Sequence, residues 1–147
     1  MKLNVDGSAR GNSRVGGGGG ACMDHQGSLV FSFHNKYGSI TNNIAEAQAM
    51  VDGLKICADK ELNNIIMEID SRIIHEAVSN LFHSCGWKLW YRLEIIHQFV
   101  QPLNLRFSHT LREGNSVADG LAKIASSGAP DKTYICLIPI LSGAPQF

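Results

Sequence analysis

Asn64-Ile65-Ile66-Met67-Glu68-Ile69-Asp70-Ser71-Arg72 is the stretch whose reading decides the fold. Ile65, Ile66, Met67 and Ile69 form a short, nearly continuous apolar run, the pattern of a strand covered on both faces. The run stops at a carboxylate, and a helical pattern from Ser71 to Leu81 starts at once. A covered strand that ends in an acid sets that acid at the carboxyl edge of a sheet, where open α/β folds keep their chemistry. Asp is also a favoured helix N-cap, so Asp70 or Ser71 can simply cap the helix that follows. Only the company Asp70 keeps separates the two readings.

Outward from this stretch, the chain has the length of one domain, 147 residues, enough to bury a proper core. Hydrophobic residues at 44% and charged residues at 18% fit a globular chain and exclude a disordered one. No run approaches the roughly 18 apolar residues of a membrane span, and no secretory-signal pattern opens the sequence. Cys22, Cys57, Cys85 and Cys136 are scattered, with no Cys-x-x-Cys pair, and read as reduced core thiols of an intracellular protein. Thirteen basic residues balance thirteen acidic ones, so a strongly cationic binding module is disfavoured. A nucleic-acid partner would have to be held by a local site.

Before the central stretch, Lys2 to Asp6 alternates Leu3 and Val5 with polar residues, as a half-buried strand does. It begins almost at the first residue, which suggests a domain cut from a longer polypeptide or a gene fragment. Asp6-Gly7 carries a turn signal. Gly16 to Gly20 is neither a dinucleotide fingerprint nor a Walker-type loop, because no helix pattern or Gly-Lys-Ser/Thr follows. It reads as a loop passing into a Gly-rich strand that another backbone approaches closely. After the turn Asp24-His25-Gln26-Gly27 comes the strand Ser28 to Phe33. Thr41-Asn42-Asn43 starts a helix with Ala47, Met50, Val51, Leu54 and Ala58 as its stripe. Asn43 and Glu46 have the spacing of a capping box, and Glu46 also lies beside the buried stripe.

After the central stretch, Ile73, Ile74, Ala77, Val78 and Leu81 mark a short helix broken at Cys85-Gly86. Trp87 to Val100 is the next, ended by Pro102. Leu103 to His109 alternates as a fifth strand, and Asn115 is placed to cap a last helix through Ala125. Asp119 in that helix can pair with Lys123 at i+4. Gly120, a costly residue inside a helix, suggests a close approach there. From Ser126 on, Pro139 interrupts an apolar run from Tyr134 to Leu141, leaving an edge strand or none. The domain is read as residues 1–126, with a C-terminal tail over 127–147.

The order of elements is three strands, helix, strand, two helices, strand, helix. It implies a five-stranded mixed α/β sheet, three antiparallel strands then two parallel, with helices on both faces. Asp6 and Asp70 then lie at one edge, within reach of Glu46 and Asp119. Four carboxylates together need a cation to stay ionised. All-oxygen ligation selects Mg²⁺ or Mn²⁺ over zinc.

Four stretches carry a resemblance to a known family: Asp6-Gly7-Ser8 with Gly11-Asn12; Thr41-Asn42-Asn43-x-x-Glu46; Asp70-Ser71; and His109 with Asn115 and Ala118-Asp119-x-Leu121-Ala122. With these acids in this order, the chain resembles the type 1 ribonuclease H family, most of all the reverse-transcriptase-associated form of plant proteins and retroelements. The resemblance implies the ribonuclease H-like fold and hydrolysis of the RNA strand of an RNA–DNA hybrid. It implies that Asp6, Glu46, Asp70 and Asp119 hold two Mg²⁺ ions about 4 Å apart, with Mn²⁺ as a substitute. His109 would shuttle a proton or help release product, a task suited to an imidazole. Asn12, Asn42, Asn43 and Asn115 would serve substrate binding, the first three at the minor groove, where the 2′-hydroxyl marks RNA. Thr41 would touch a DNA-strand phosphate.

The chain departs from the family in three places. The basic, Trp-rich protrusion of some members is reduced here to Trp87, Lys88, Trp90 and Arg92. Arg72 follows Asp70-Ser71 where bacterial relatives have Gln, and the aromatic of the DNA channel falls near Leu81 and Phe82. Weak hybrid affinity and tethering within a larger protein follow as expectations. Two other readings stand beside the nuclease: a domesticated nucleic-acid-binding module without turnover, and a nuclease of the same fold, such as a resolvase or integrase, with another substrate.

Overall fold

The computed structural model describes residues 1–10, 15–80 and 86–135. The first three strands, β1 (Lys2–Arg10), the glycine-rich β2 (Val15–Met23) and β3 (Leu29–Ser39), pair antiparallel in sequence order. β4 (Ile66–Ile69) then adds parallel to β1, and β5 (Arg106–His109) parallel to β4. The sheet has six strands where five were expected, in the order β5-β4-β1-β2-β3-β6. The sixth, β6 (Lys132–Ile135), falls in the segment assigned to the tail and pairs antiparallel with β3 as an edge strand. It is exposed along its length. The later part of the tail, with Pro139, and also Leu81, Phe82 and Asn12, lie outside the described residues.

Glycine explains how two helices reach the middle of this sheet. On one face of β2, a Cβ at Gly17 or Gly19 would lie 2.5 Å from the Cβ of Ala125 or Leu121 in α4 (Ser116–Ser126). On the other, a Cβ at Gly18 would lie 2.8 Å from Ala49 in α1 (Asn42–Asp59). The five glycines therefore form the strand that backbones approach closely, as their run predicts. α1 packs with α3 (Trp87–Gln98) on the apolar face, where Leu3, Val5, Phe31, Phe33, Met67, Ile69, Met50, Leu54 and Ile96 are fully buried. Along α1 the stripe ends at Cys57, with Ala58 exposed. Among the described residues no helix is long and apolar enough to cross a membrane.

Several local expectations change. β1 does not stop at Asp6; it continues to Arg10, so Asp6-Gly7 is strand and not turn. Thr41, not Asn43, is the N-cap of α1, its Oγ1 accepting from the Ile44 amide at 3.4 Å. Ser71 accepts from the Ile74 amide at 3.2 Å and starts α2 (Arg72–Asn80), which leaves the Asp70 carboxylate free of that duty. Asn115 precedes α4 but makes no side-chain cap bond. A Cβ on Gly120 would meet nothing within 4 Å, so no close approach explains that glycine. β4 is covered unevenly: Met67 and Ile69 are fully buried, whereas Ile66 and Glu68 are only half-covered. Glu68 stands opposite Asn4 of β1, so the second face of β4 is polar at that point.

Candidate active site

Asp6 reaches the site because β1 runs straight past it, and period-2 alternation turns its side chain away from the Leu3 and Val5 face. The start of α1 is drawn against the next residue, Gly7, where a Cβ would overlap the backbone of Ala45 and Glu46. This approach delivers Glu46, the only carboxylate in the first two turns of α1, to the side of Asp6. Asp70 follows the end of β4, the parallel neighbour of β1. Asp6, Glu46 and Asp70 each offer a carboxylate oxygen, and these oxygens all lie within 4.8 Å of one another. Asp119, from the first turn of α4, lines the same cleft with Asn42, Asn43, Ser71, Arg112 and Lys123.

The charges cannot all persist. Burial, then the neighbouring Asp70 charge, then contact with Asp119 push the Asp6 carboxyl up to about 7. Burial, then the charges of Asp6 and Asp70, push Glu46 up to about 10. Asp119 behaves oppositely: burial raises it, but the Lys123 ammonium 3.0 Å away, and Arg112 beyond, hold it below the ordinary carboxylate range. Asp119 is paired with Lys123 as its i+4 spacing predicts, and it lines the cleft beside the acid cluster.

The residues fit a hard divalent cation. The donors are all oxygens from acids, the set such ions prefer. Glu46 Oε2 is fully buried and has no hydrogen-bond partner. A buried carboxylate oxygen left unpaired is costly, and a bound cation would satisfy it.

The remaining candidates separate. Asn42 lines the cleft, and its Oδ1 accepts from the Ala9 amide at 2.8 Å, which ties α1 to β1. Asn43 is exposed and lines the cleft and also a neighbouring groove with Thr41, Trp87 and Lys88. His109 ends β5 opposite Ile69 and does not line the acid cleft; its ring packs edge-on to His75, centroids 5.8 Å apart. Asn115, expected as a cap and as a substrate contact, is instead 1% exposed and donates to Val5 O at 2.9 Å and Asp70 Oδ2 at 3.2 Å. Trp87, Trp90 and Tyr91 are 74%, 49% and 56% exposed, which places Trp90 on the surface and not in the core. Arg92 bonds Gln48 Oε1 at 2.8 Å.

Comparison with known proteins agrees with this layout. Residues 4–125 match the family model described as reverse transcriptase-like. The chain belongs to this reverse transcriptase-like family. The matched range contains Asp6, Glu46, Asp70 and Asp119, and the chain's fold is that of its solved neighbours. The ribonuclease H1 of the archaeon Halobacterium salinarum superposes with a TM-score of 0.81 at 24% identity, over 87% of this chain and 98% of that one. LC11 ribonuclease H1, solved in complex with an RNA/DNA hybrid, superposes at 0.77 and 25% identity over 86% and 96%. A protein of Arabidopsis thaliana provisionally named a ribonuclease H protein is 31% identical over 128 residues, 86% of this chain. The chain spans one fifth of that protein's length.

Sequence reasoning missed Asn4, Glu68, Arg112 and His75. Glu68 alone left a signal: a carboxylate inside an apolar strand, two residues before Asp70 and so on the same face.

Proposed function

We propose that this domain is a metal-dependent endonuclease that hydrolyses the RNA strand of RNA–DNA hybrids. The single observation that carries the reading is the convergence of Asp6, Glu46 and Asp70, with an unpartnered buried oxygen on Glu46, beside Asp119. These four would hold two divalent ions, Mg²⁺ first and Mn²⁺ as a substitute. Ions in such a site supply the Lewis acidity that makes water a nucleophile and steadies the leaving oxygen.

The chain's own residues do the rest. Asp6 and Glu46 hold protons in the metal-free site and release them as positive charge enters it. Lys123 and Arg112 line the outer wall of the cleft, where they would meet phosphate. Asn43 is free at the lip to meet a 2′-hydroxyl in the minor groove, with Asn42 holding the lip in place. Thr41, Trp87 and Lys88 line the neighbouring groove, where the DNA strand would run. His109, one strand over, would move a proton for the departing product. Net charge near zero and an Arg92 committed to Gln48 support weak hybrid binding by the domain alone, with tethering in a larger protein supplying local concentration.

Strand-specific cleavage tests the reading. With Mg²⁺ or Mn²⁺, an end-labelled RNA–DNA hybrid is expected to lose its RNA strand, while double-stranded RNA and double-stranded DNA stay intact. A folded sample that binds hybrid but cleaves nothing with either metal would support the binding module instead. Cleavage of a DNA duplex or junction in preference to hybrid would move the substrate to another class.

A further inference from the structure

We infer that Glu68 and Asn4 are positioning residues: together they set the orientation of the Asn115 amide, and through it the seat of Asp70. The inference rests on the acid cluster being the reactive centre proposed above.

The geometry is a chain of hydrogen bonds across β4, β1 and the turn before α4. Glu68 Oε1 accepts from Asn4 Nδ2 at 2.9 Å, and Asn115 Oδ1 accepts from the same nitrogen at 3.1 Å. Asn115 Nδ2 then donates to Val5 O at 2.9 Å and to Asp70 Oδ2 at 3.2 Å. Register supports this arrangement, because Asn4 and Glu68 are direct partners in the parallel β1–β4 pair. Alternation puts Asn4 on the face of Asp6, and Glu68 on the face of Asp70.

An amide has one donating end and one accepting end, and the two differ little in shape. What decides which way each amide points is its partner. An ionised carboxylate only accepts, so Glu68 requires the NH₂ of Asn4 on its side. That NH₂ requires the oxygen of Asn115 on its side in turn. Asn115 is then left with its NH₂ toward Val5 O and Asp70. If Asn115 flipped, its oxygen would face a carbonyl and a carboxylate with no proton between, in a place 1% exposed. Glu68 is therefore spoken for: Asn4 takes one oxygen, and Lys2 Nζ stands 3.5 Å from the other. Two residues from Asp70, it is not a spare metal ligand.

The test uses Glu68→Ala and Asn4→Ala, with Glu68→Gln as the conservative variant, each checked for folding by thermal unfolding. Three quantities are read: hydrogen-exchange protection of the Asn115 side-chain amide by NMR, Mn²⁺ affinity by titration, and kcat and KM on hybrid. Both alanine variants are expected to lose amide protection and roughly tenfold in Mn²⁺ affinity, the usual cost of removing a residue that orients a ligand. On hybrid, kcat is expected to fall and KM to hold. Glu68→Gln keeps an accepting oxygen but no longer excludes the flipped amides, so it is expected to fall between wild type and Glu68→Ala. Alanine variants with intact protection and affinity would overturn the inference, and so would a Glu68→Gln as impaired as Glu68→Ala, which would indicate charge alone. Protection and Mn²⁺ affinity are read without substrate. A wild type that cleaves no hybrid but shows these responses would therefore discard the substrate and leave the positioning role standing.

Discussion

Gly7 and Glu46 touch backbone to backbone: the start of α1 lies so near β1 that a Cβ on Gly7 would overlap the amide nitrogen of Glu46. That contact brings a helix-borne carboxylate beside Asp6, from the middle of β1, and Asp70, just past the end of β4. Gly7→Ala must push α1 outward, because neither backbone can rotate out of the way. Overpacking of this kind costs about 1–3 kcal/mol, to be read by denaturant unfolding. Mn²⁺ affinity should fall as well, since Glu46 would move with the helix. Stability and affinity both unchanged would show that α1 is not held by this contact.

Protons held by the site make the metal-free protein sensitive to pH. Asp6 and Glu46 rise from ordinary values of 3.8 and 4.5 to about 7 and about 10. A raised carboxyl favours folding most below its unfolded value, and the benefit is lost as pH climbs through the folded one. The metal-free domain should therefore lose stability from about pH 4 through pH 7 on account of Asp6. Glu46 extends the loss toward pH 10. Mn²⁺ should restore stability most at the alkaline end, because binding displaces those protons. Glu46→Gln should flatten the upper part of the profile in thermal melts run without metal.

Two glycines that look alike in sequence should respond with opposite signs. Gly19 faces α4, and a methyl added there would sit only 2.5 Å from Leu121 Cβ, so Gly19→Ala should destabilise by about 1–3 kcal/mol. Gly120 is helical and opens onto empty space, so Gly120→Ala should stabilise by about 0.5–1 kcal/mol. Denaturant midpoints of the two variants check the pair.

Lys123 competes with any cation for Asp119. It is largely exposed, so Lys123→Met should change stability by no more than about 0.5 kcal/mol. Release of Asp119 should tighten Mn²⁺ binding by roughly twofold to fivefold in a metal titration. Weaker binding would show that Lys123 helps to build the site.

Much of this architecture is legible in the sequence because it is locally encoded. An apolar run ending in Asp70 marks β4, and the glycine run marks the strand that two helices clasp. The acids could be placed together because the order of elements allows few sheets. What stayed hidden depends on contacts between distant residues. Thr41, Asn42 and Asn43 are all good caps; in the fold Thr41 caps the Ile44 amide, while Asn42 bonds the distant Ala9 amide instead. Asn115 has the spacing of a cap, yet its partners lie more than 40 positions away, at Asp70 and Val5. Lys132–Ile135 has no strand pattern strong enough to stand out ahead of Pro139, and it becomes a strand by pairing with β3.

The most direct test of the central claim is hybrid cleavage by wild type and Asp70→Asn across a Mg²⁺ titration, with Mn²⁺ binding measured on the same samples. Wild type should cleave the RNA strand in proportion to metal occupancy, and the variant, folded, should lose both binding and cleavage. Cleavage that survives in Asp70→Asn, or that persists after chelation of the metal, would contradict the account.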